Sequence, residues 1–311
     1  HQVVSRWRAE EKDGHYVNTQ ELVQAPVYVL QPLKHIKIEP RNYMATGYIR
    51  THPITSIATL FIETLEPLEE EWSEFKVDNI NKEILIELKK YTTDQIIEFL
   101  VNNVTNIYDA DEILYAVLLT FLSPIKFYFN NRVLRGWINT AIIGDSGTGK
   151  SATYARLSDY LEIGDLFSCL TGSRTGLLYA IKQRGNDWFI SIGAYVRASG
   201  KIIALDEAQE IASEDIKRAA IAMDTGHLNI ERVATGGFTT RTRAIFMLNP
   251  KDAFGKAATI SDFTYGCESL KRCFDPMFIR RLDLAVFTTS SHKHEFYNKR
   301  NVTKESGGIS I

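Results

Sequence analysis

The hydrophobic pattern of the first 75 residues is typical of β-strands. Short runs of apolar, aromatic and β-branched residues are separated by prolines and polar breaks. Strands are predicted at Val27–Leu30, Leu33–Glu39, Tyr43–Arg50 and Ile57–Thr64. Several short strands at this spacing favour a small barrel or sandwich. An OB-fold is one candidate, and a generic β-subdomain without a ligand is the alternative.

The apolar residues change to helical spacing from Asn79. Helices are predicted over residues 84–90, 95–102 and 113–122. Residues 92–94 offer an N-cap for the second helix, and Asp109 offers one for the third. The acidic stretch 65–75 that precedes them is typical of a solvated linker. No residue pattern in these helices suggests chemistry, so we interpret them as packing elements.

Short apolar strands alternate with helical segments from residue 138 onward. Strands are predicted at Ile138–Ile143, Trp188–Ile192, Lys201–Leu205, His227–Val233 and Phe238–Leu248, and a helix at Ser151–Leu161. Gly236 and Gly237 are interpreted as the turn of a β-hairpin between the last two strands. This alternation indicates an α/β fold, a parallel sheet with helices on both faces. The predicted organisation is a β-rich OB-like domain over 1–77, an α/β domain with its linker helices over 78–290, and a polar tail over 291–311.

The segment that follows the first of these strands carries a phosphate-binding pattern. Residues 144–151, which we call the glycine loop, match G-x-x-x-x-G-K-[ST]. The glycines let the backbone curl so that its N–H groups face a phosphate, and the following helix adds the positive end of its dipole. Lys150 is expected to reach the β- and γ-phosphates, and the Ser151 hydroxyl to hold Mg²⁺. The remaining loop residues of the predicted nucleoside triphosphate site are Gly144, Asp145, Ser146, Gly147, Thr148 and Gly149.

Two adjacent carboxylates, Asp206 and Glu207, follow a buried strand downstream of the glycine loop. This is the Walker B arrangement, in which Asp206 holds the water shell of Mg²⁺ and Glu207 activates water against the γ-phosphate. An Asp-Glu pair is also common on plain surface, but beside a glycine loop it argues for hydrolysis. Asn249 follows another buried strand and is a candidate to place that water from the other side. An ordinary Asn-Pro turn is the alternative for Asn249.

Composition limits the classes of protein that fit. The apolar and charged fractions of the 311-residue chain, 44% and 24%, are those of a globular protein, and a net charge of −2 gives no global attraction to nucleic acid. The three cysteines show no metal or disulfide spacing, which suits a reducing compartment. The apolar run Ile113–Leu122 is too short to span a bilayer. The chain begins at His1 and not at Met, so it is interpreted as an intracellular protein or a piece of one.

In their order along the chain these motifs resemble those of the AAA+ ATPases, and within them the minichromosome maintenance (MCM) replicative helicases. Residues 144–151 resemble the Walker A motif of that family, and residues 193–207 the segment that runs into Walker B. Residues 274–284 resemble the stretch that carries the arginine finger. The resemblance implies an AAA+ P-loop domain in which Arg281 is the finger, Arg280 replaces a serine and Asn249 is sensor 1. A plain surface pair remains the alternative for the two arginines.

Two further segments resemble features that separate MCM proteins from other AAA+ proteins. Residues 182–192 stand where the helix-2 insert lies, and residues 228–243 where the pre-sensor-1 hairpin lies. The resemblance implies a homohexameric ring with DNA, single-stranded or forked, in its channel, and hairpins that grip the DNA backbone. Basic residues of these segments are the candidate phosphate contacts, with ordinary solvated arginines as the alternative: Arg232, Arg241, Arg243, Lys182 and Arg184.

The chain departs from the family pattern in three places. Residues 208–210, Ala-Gln-Glu, replace the usual Phe-Asp-Lys after Walker B. No Cys-x-x-Cys pair occurs in residues 1–75, so the frequent N-terminal zinc module is expected to be absent. Only a short polar tail follows Leu284, so the helical lid is expected to be missing.

The expected function is an ATP- and Mg²⁺-dependent DNA helicase or translocase of MCM type in replication, without a membrane partner. A weakly active initiator or scaffold that assembles on DNA without unwinding it is the second hypothesis, which the missing lid favours. An AAA+ protein that acts on protein partners is the third. The expected location is the cytoplasm, at the nucleoid, for a prokaryotic or mobile-element protein and the nucleus for a eukaryotic one.

Overall fold

The computed structural model falls into two units, residues 1–76 and 77–311, each with its own set of internal contacts. The structure describes residues 2–12, 15–25, 27–29, 43–51, 56, 58–67, 79–170, 174–184, 187–231 and 235–289. The predicted strand Leu33–Glu39 and the tail 291–311 lie outside these ranges.

The first unit is built of β-strands, as its pattern predicted. Its strands are β1 (Gln2–Lys12), β2 (His15–Ala25), β3 (Val27–Val29), β4 (Tyr43–Thr51) and β5 (Ala58–Pro67). The long strands β1 and β2 form an antiparallel hairpin that the sequence analysis did not single out. Strand β5 lies between β3, to which it is parallel, and β4, to which it is antiparallel. Its description as an OB-fold stays a prediction.

The second unit begins with helices. They are α1 (Asn79–Leu88), α2 (Thr93–Leu100) and α3 (Asp111–Leu122), with a π-helical turn at Val101–Thr105 between the last two. Thr92 caps α2 in a capping box with Gln95, which confirms the predicted cap. The predicted cap of α3 is wrong, because Ala110 occupies that position without a side-chain hydrogen bond and Asp109 lies in the left-handed region at φ 60°.

A central parallel sheet follows, interrupted by short hairpins and helices. Up to its third strand along the chain, the elements are β6 (Lys126–Phe129), β7 (Arg132–Arg135), β8 (Thr140–Gly144), α4 (Lys150–Leu161), β9 (Gly164–Ser168), α5 (Arg174–Leu177), β10 (Tyr179–Arg184), β11 (Asp187–Ile192), α6 (Ala194–Arg197) and β12 (Ile202–Asp206). Beyond it lie α7 (Ser213–Thr225), β13 (His227–Glu231), β14 (Thr235–Thr239), β15 (Arg243–Leu248), α8 (Gly266–Cys273), α9 (Pro276–Ile279) and β16 (Leu284–Thr288). The sheet has the order β16-β8-β15-β12-β9, and all its pairs are parallel. This confirms the predicted α/β fold.

The core strands are buried on both faces. In β8, Ile143 packs in one apolar cluster and Ile142 in the other, on the opposite face of the sheet. Successive side chains of a strand point to opposite faces, so the uninterrupted apolar runs seen in the sequence serve two layers at once. Helix α7 contributes to the first cluster, and α2, α3 and α4 contribute to the second.

The predicted hairpin turn at Gly236 and Gly237 is wrong. Strand β13 pairs with β14 so that Ile230 lies opposite Gly236 and Glu231 opposite Thr235, which places both glycines inside β14. The predicted strand 238–248 is also divided, because β15 begins at Arg243 and joins the central sheet instead of the hairpin. The apolar pattern runs through both strands, and the pairing register that separates them depends on contacts distant in sequence.

We expect Phe278→Ala to lower the free energy of unfolding by about 3–5 kcal/mol, measured by urea denaturation. Phe278 is 1% exposed, and its ring lies 5.0 Å from that of Phe246 and 4.4 Å from that of Phe274. The control is Phe254→Ala, since Phe254 is 88% exposed and its loss should change stability by no more than about 0.5 kcal/mol. Equal effects of the two changes would contradict the assigned core.

Candidate nucleotide-binding site

The glycine loop connects the end of β8 to the start of α4, as the sequence predicted. Gly149 lies in the left-handed region at φ 85°, where other residues are strained, and it directly precedes the helix. A Cβ at Gly144 would lie 2.8 Å from the backbone carbonyl oxygen of Thr288 in β16, closer than side chains normally approach, so glycine lets the two strands lie this close together. Both outer glycines of the pattern are therefore required by the backbone.

The Lys150 side chain is folded back into the glycine loop. It is 6% exposed, whereas Ser146 and Gly147 at the tip of the loop are exposed. Its Nζ donates to the carbonyl oxygens of Gly144 at 2.8 Å and Asp145 at 3.0 Å, and to Asn249 Oδ1 at 3.0 Å. Lys150 and Asn249, which the sequence predicted for one site, are thus in direct contact although 99 positions separate them.

Burial also changes the acidity of this lysine. Removal from water lowers the pKa of Lys150 to about 8, while the carboxylates of Asp206 and Asp145 oppose that shift. The Asp145 carboxylate accepts a hydrogen bond from the Ile260 N–H at 2.8 Å, so it also ties the loop to a distant segment. The cation is held mainly by neutral oxygens, an arrangement that favours the arrival of an anion.

The predicted carboxylate pair lies at the same edge of the sheet. Strand β12 ends at Asp206, and Glu207 turns the chain away in the left-handed region at φ 54°. Asp206 Oδ1 accepts the Glu207 N–H at 3.0 Å. Since β8 and β12 belong to one parallel sheet, their carboxyl ends point to the same crevice. The structure therefore places Asp206 and Glu207 at the edge that carries the glycine loop.

Sequence reasoning missed the thiol beside this pair. Cys169 follows β9, and its N–H donates to the Asp206 carbonyl at 2.9 Å. Burial and the charges of Asp206 and Glu207 raise the pKa of Cys169 to about 12. A thiol with so high a pKa stays protonated and unreactive at neutral pH, so Cys169 acts as a packing residue here.

Asn249 is held through its backbone as well as through its amide. Its N–H donates to Gln209 Oε1 at 3.1 Å, and its carbonyl accepts from the Cys273 thiol at 3.8 Å. In the sequence, Gln209 stands out only as a departure from the family pattern. No local signal in the sequence indicates a contact between positions 40 residues apart.

The predicted arginine finger is engaged by its own chain. Arg281 is half-buried, its Nη1 donates to the Met277 carbonyl at 2.6 Å, and its Nη2 lies 3.7 Å from Asp224 Oδ2. Its neighbour Arg280 is exposed. Asp283, two residues on, accepts from the Asn139 N–H at 2.8 Å and pairs with Arg135 at 2.5 Å. This segment is thereby fixed at the start of β16.

The residues predicted to contact DNA have different surroundings. Antiparallel hairpins are present at both expected positions, β10–β11 and β13–β14. Lys182 on β10 is exposed, and Arg241 is half-buried. Arg232 and the side chain of Arg184 lie outside what the structure describes.

Arg243 is held by its own chain, and its predicted contact with DNA stays a prediction. Its Nε donates to the Ser123 carbonyl at 2.8 Å and its Nη1 to the Gly200 carbonyl at 2.9 Å. Burial lowers the pKa of this half-buried guanidinium. Arg243 therefore joins the start of β15 to its neighbours in the fold.

The oxygen donors at this edge suit a magnesium nucleotide. Ser151 lies in the first turn of α4 and Asp206 at the end of β12, and hydroxyl and carboxylate oxygens are the ligands that Mg²⁺ prefers. Mg²⁺ is commonly held by one or two such groups together with substrate phosphates. No group of three or more His, Cys, Asp or Glu side chains arranged for a metal is found in the part of the chain that the structure describes.

A family model described as the MCM P-loop domain matches residues 83–291, two thirds of the chain. The chain belongs to the MCM family. The match covers the glycine loop, the carboxylate pair, Asn249 and Arg281, and a P-loop domain of this family binds nucleotide. The resemblance that the sequence analysis stated is thereby confirmed.

Three curated MCM relatives are identical to this chain at less than a third of the aligned positions. The "DNA replication licensing factor mcm6" of Dictyostelium discoideum is 28% identical over 60% of this chain and 22% of its own length. The "Probable DNA helicase MCM9" of Oryza sativa subsp. indica is 24% identical over 50% of this chain and 23% of its own. The "Probable DNA helicase MCM8" of Arabidopsis thaliana is 23% identical over 63% and 26%. The chain thus matches only about a quarter of the length of these relatives.

None of the helices that the structure describes combines the length and the apolar character that crossing a bilayer requires.

We expect nucleotide affinity to fall as the pH rises above about 8, by up to about tenfold per pH unit. The reason is that phosphate oxygens favour the charged ammonium of Lys150, which loses its proton near that pH in the free protein. Titration with a fluorescent nucleotide between pH 7 and pH 10 measures this. Lys150→Met should bind weakly and without this slope, and a pH-independent affinity of the unmodified chain would contradict the lysine's role.

Proposed function

We propose that this chain is the motor part of an ATP-dependent DNA helicase or translocase of MCM type that acts in DNA replication. The observation that carries the proposal is the contact of the buried Lys150 ammonium with both the glycine loop and Asn249 at 3.0 Å. It gathers a phosphate-binding loop and a polar sensor residue around one cation. Relatives named as replication licensing factors and DNA helicases support the biological assignment.

In this proposal one chain binds the nucleotide and positions the attacking water. Bound ATP with Mg²⁺ supplies the γ-phosphoryl group to be transferred and a counter-charge to it. Lys150 would exchange its carbonyl partners for phosphate oxygens, and Ser151 and Asp206 would hold the metal and its water shell. Glu207 accepts the proton of the attacking water, and Asn249 orients that water through its amide.

The arginine comes from the neighbouring subunit of a ring, proposed to be a homohexamer. A guanidinium stabilises the charge that develops on the transferring phosphoryl group, so hydrolysis reports on assembly when a neighbour supplies it. In the single chain Arg281 Nη2 lies 3.7 Å from Asp224, whose side chain is 61% exposed. A long ion pair with an exposed carboxylate contributes little, so the main contact that Arg281 exchanges for a neighbour's triphosphate is its hydrogen bond to the Met277 carbonyl at 2.6 Å.

We predict that Glu207→Gln and Arg281→Ala are each inactive alone but recover ATPase activity when mixed. Glu207→Gln keeps ATP binding and loses turnover, because the amide cannot take the proton of water. In a mixed ring, an Arg281→Ala subunit with an intact carboxylate meets the intact arginine of a Glu207→Gln subunit. Random mixing restores roughly a quarter of the interfaces.

The control is a mixture of Glu207→Gln with a double variant that carries both changes, which restores no complete interface. Recovery in neither mixture would contradict a trans-acting Arg281. Wild-type turnover in Glu207→Gln alone would refute the catalytic assignment.

We further predict ATP-dependent displacement of a strand from a forked DNA substrate. In this proposal Lys182, exposed on β10, contacts the DNA backbone. Lys182→Gln should weaken DNA binding at every sequence and reduce the slope of log affinity against log salt by about 1. Lys271→Gln on α8, outside both hairpins, is the matched control and should leave the slope unchanged.

Binding to DNA without strand displacement would favour the initiator or scaffold hypothesis over the helicase. An absence of salt-dependent DNA binding would instead favour an AAA+ protein that acts on protein partners.

A further inference from the structure

The 3₁₀ turn after the carboxylate pair contacts the segment that leaves β15. This turn, Ala208–Glu210, is the stretch in which the chain departs from the usual family residues. Gln209 Oε1 accepts the Asn249 N–H at 3.1 Å, and Glu210 Oε1 pairs with Lys251 Nζ at 2.8 Å. The two departing polar residues therefore bind the backbone of Asn249 and a side chain two positions beyond it.

The Gln209 side chain provides a hydrogen-bond acceptor for the Asn249 N–H, which has no partner on a neighbouring strand. The pairing of β12 with β15 ends at Leu205 opposite Phe246, and Glu207 then turns the chain away from the sheet. The pairing of β15 with β8 ends at Leu248, so the N–H of Asn249 lies beyond both ladders. Asn249 is half-buried, and an N–H withdrawn from water without an acceptor is costly, so the side-chain carbonyl of Gln209 meets that need.

The remaining groups of Asn249 leave little freedom once its N–H is fixed. Pro250 follows and biases Asn249 towards an extended backbone. The carbonyl accepts from Cys273, and the side-chain Oδ1 accepts from Lys150. The position of the amide beside the Lys150 ammonium therefore depends on the backbone anchor that Gln209 provides.

We propose that Gln209 is a positioning residue that holds Asn249 against Lys150 and the nucleotide phosphates. Gln209 acts through Asn249 and touches no reacting atom itself. As a neutral amide it supplies an acceptor without adding a negative charge next to Asp206 and Glu207. The effect of Gln209 on turnover rests on the proposed ATPase function, whereas its hold on the Asn249 amide does not.

The test compares Gln209→Met, which keeps the length of the side chain but removes the acceptor, with Gln209→Glu, which retains an acceptor. Hydrogen exchange of the backbone N–H of Asn249 is followed by NMR, without nucleotide, in chains labelled with ¹⁵N-asparagine. Exchange in Gln209→Met should be about tenfold faster than in the unmodified chain, and Gln209→Glu should preserve the protection. Glu210→Gln, in the same turn but without a contact to Asn249, is the matched control and should also preserve it.

Steady-state ATPase assays give the second readout. Gln209→Met should lower kcat by about tenfold with KM for ATP changed less than twofold, because a misplaced Asn249 affects the reaction more than binding. In an Asn249→Ala background the same change should have no further effect on kcat.

Unchanged amide exchange in Gln209→Met, or equal acceleration in Glu210→Gln, would overturn the inference. So would an additive loss of kcat in the double variant. An unmodified chain without ATPase activity but with the expected exchange pattern would instead contradict the proposed function and leave the role of Gln209 standing.

Discussion

The burial of the Lys150 ammonium is the constraint on which the rest of the site depends. A charge removed from water is costly unless polar groups surround it. Here the carbonyl oxygens of the glycine loop and the Asn249 amide oxygen surround the ammonium. The same burial lowers the pKa of the lysine to about 8, so the group is a cation that is only partly compensated. Such a group gains most from an anionic ligand, which suits the phosphate groups of a nucleotide.

The contacts of Lys150 depend on the order of the strands in the central sheet. Strand β8 lies between β15 and β16, so the glycine loop leaves the sheet with a neighbouring strand end on each side. Asn249 follows one of these neighbours, and Thr288 ends the other. Because all pairs are parallel, the polar residues that follow the strands gather at one edge while the apolar residues within them fill two cores.

The local parts of this arrangement could be predicted from the sequence, and the long-range parts could not. The glycine loop and the Asp206-Glu207 pair are encoded by adjacent residues whose backbone requirements are visible in the pattern. The contact of Gln209 with Asn249 and that of Asp145 with Ile260 join positions 40 and 115 residues apart, so only the folded chain reveals them. The hydrogen bonds of the Arg243 guanidinium to the carbonyls of Ser123 and Gly200 are likewise visible only in the folded chain, because a count of basic residues does not show their partners.

Strand β16 connects the segment of the proposed arginine finger to the glycine loop within one chain. It begins directly after the segment of Arg281 and Asp283, which Arg135 and Asn139 anchor. It ends at Thr288, whose carbonyl accepts the Asp145 N–H at 3.3 Å and whose hydroxyl donates to the Thr148 hydroxyl at 3.2 Å. The strand is only five residues long and is paired along its length with β8, so it acts as a stiff element. In the proposed ring, the arginine that acts on a neighbour and the glycine loop of the same subunit are therefore placed by opposite ends of the same strand.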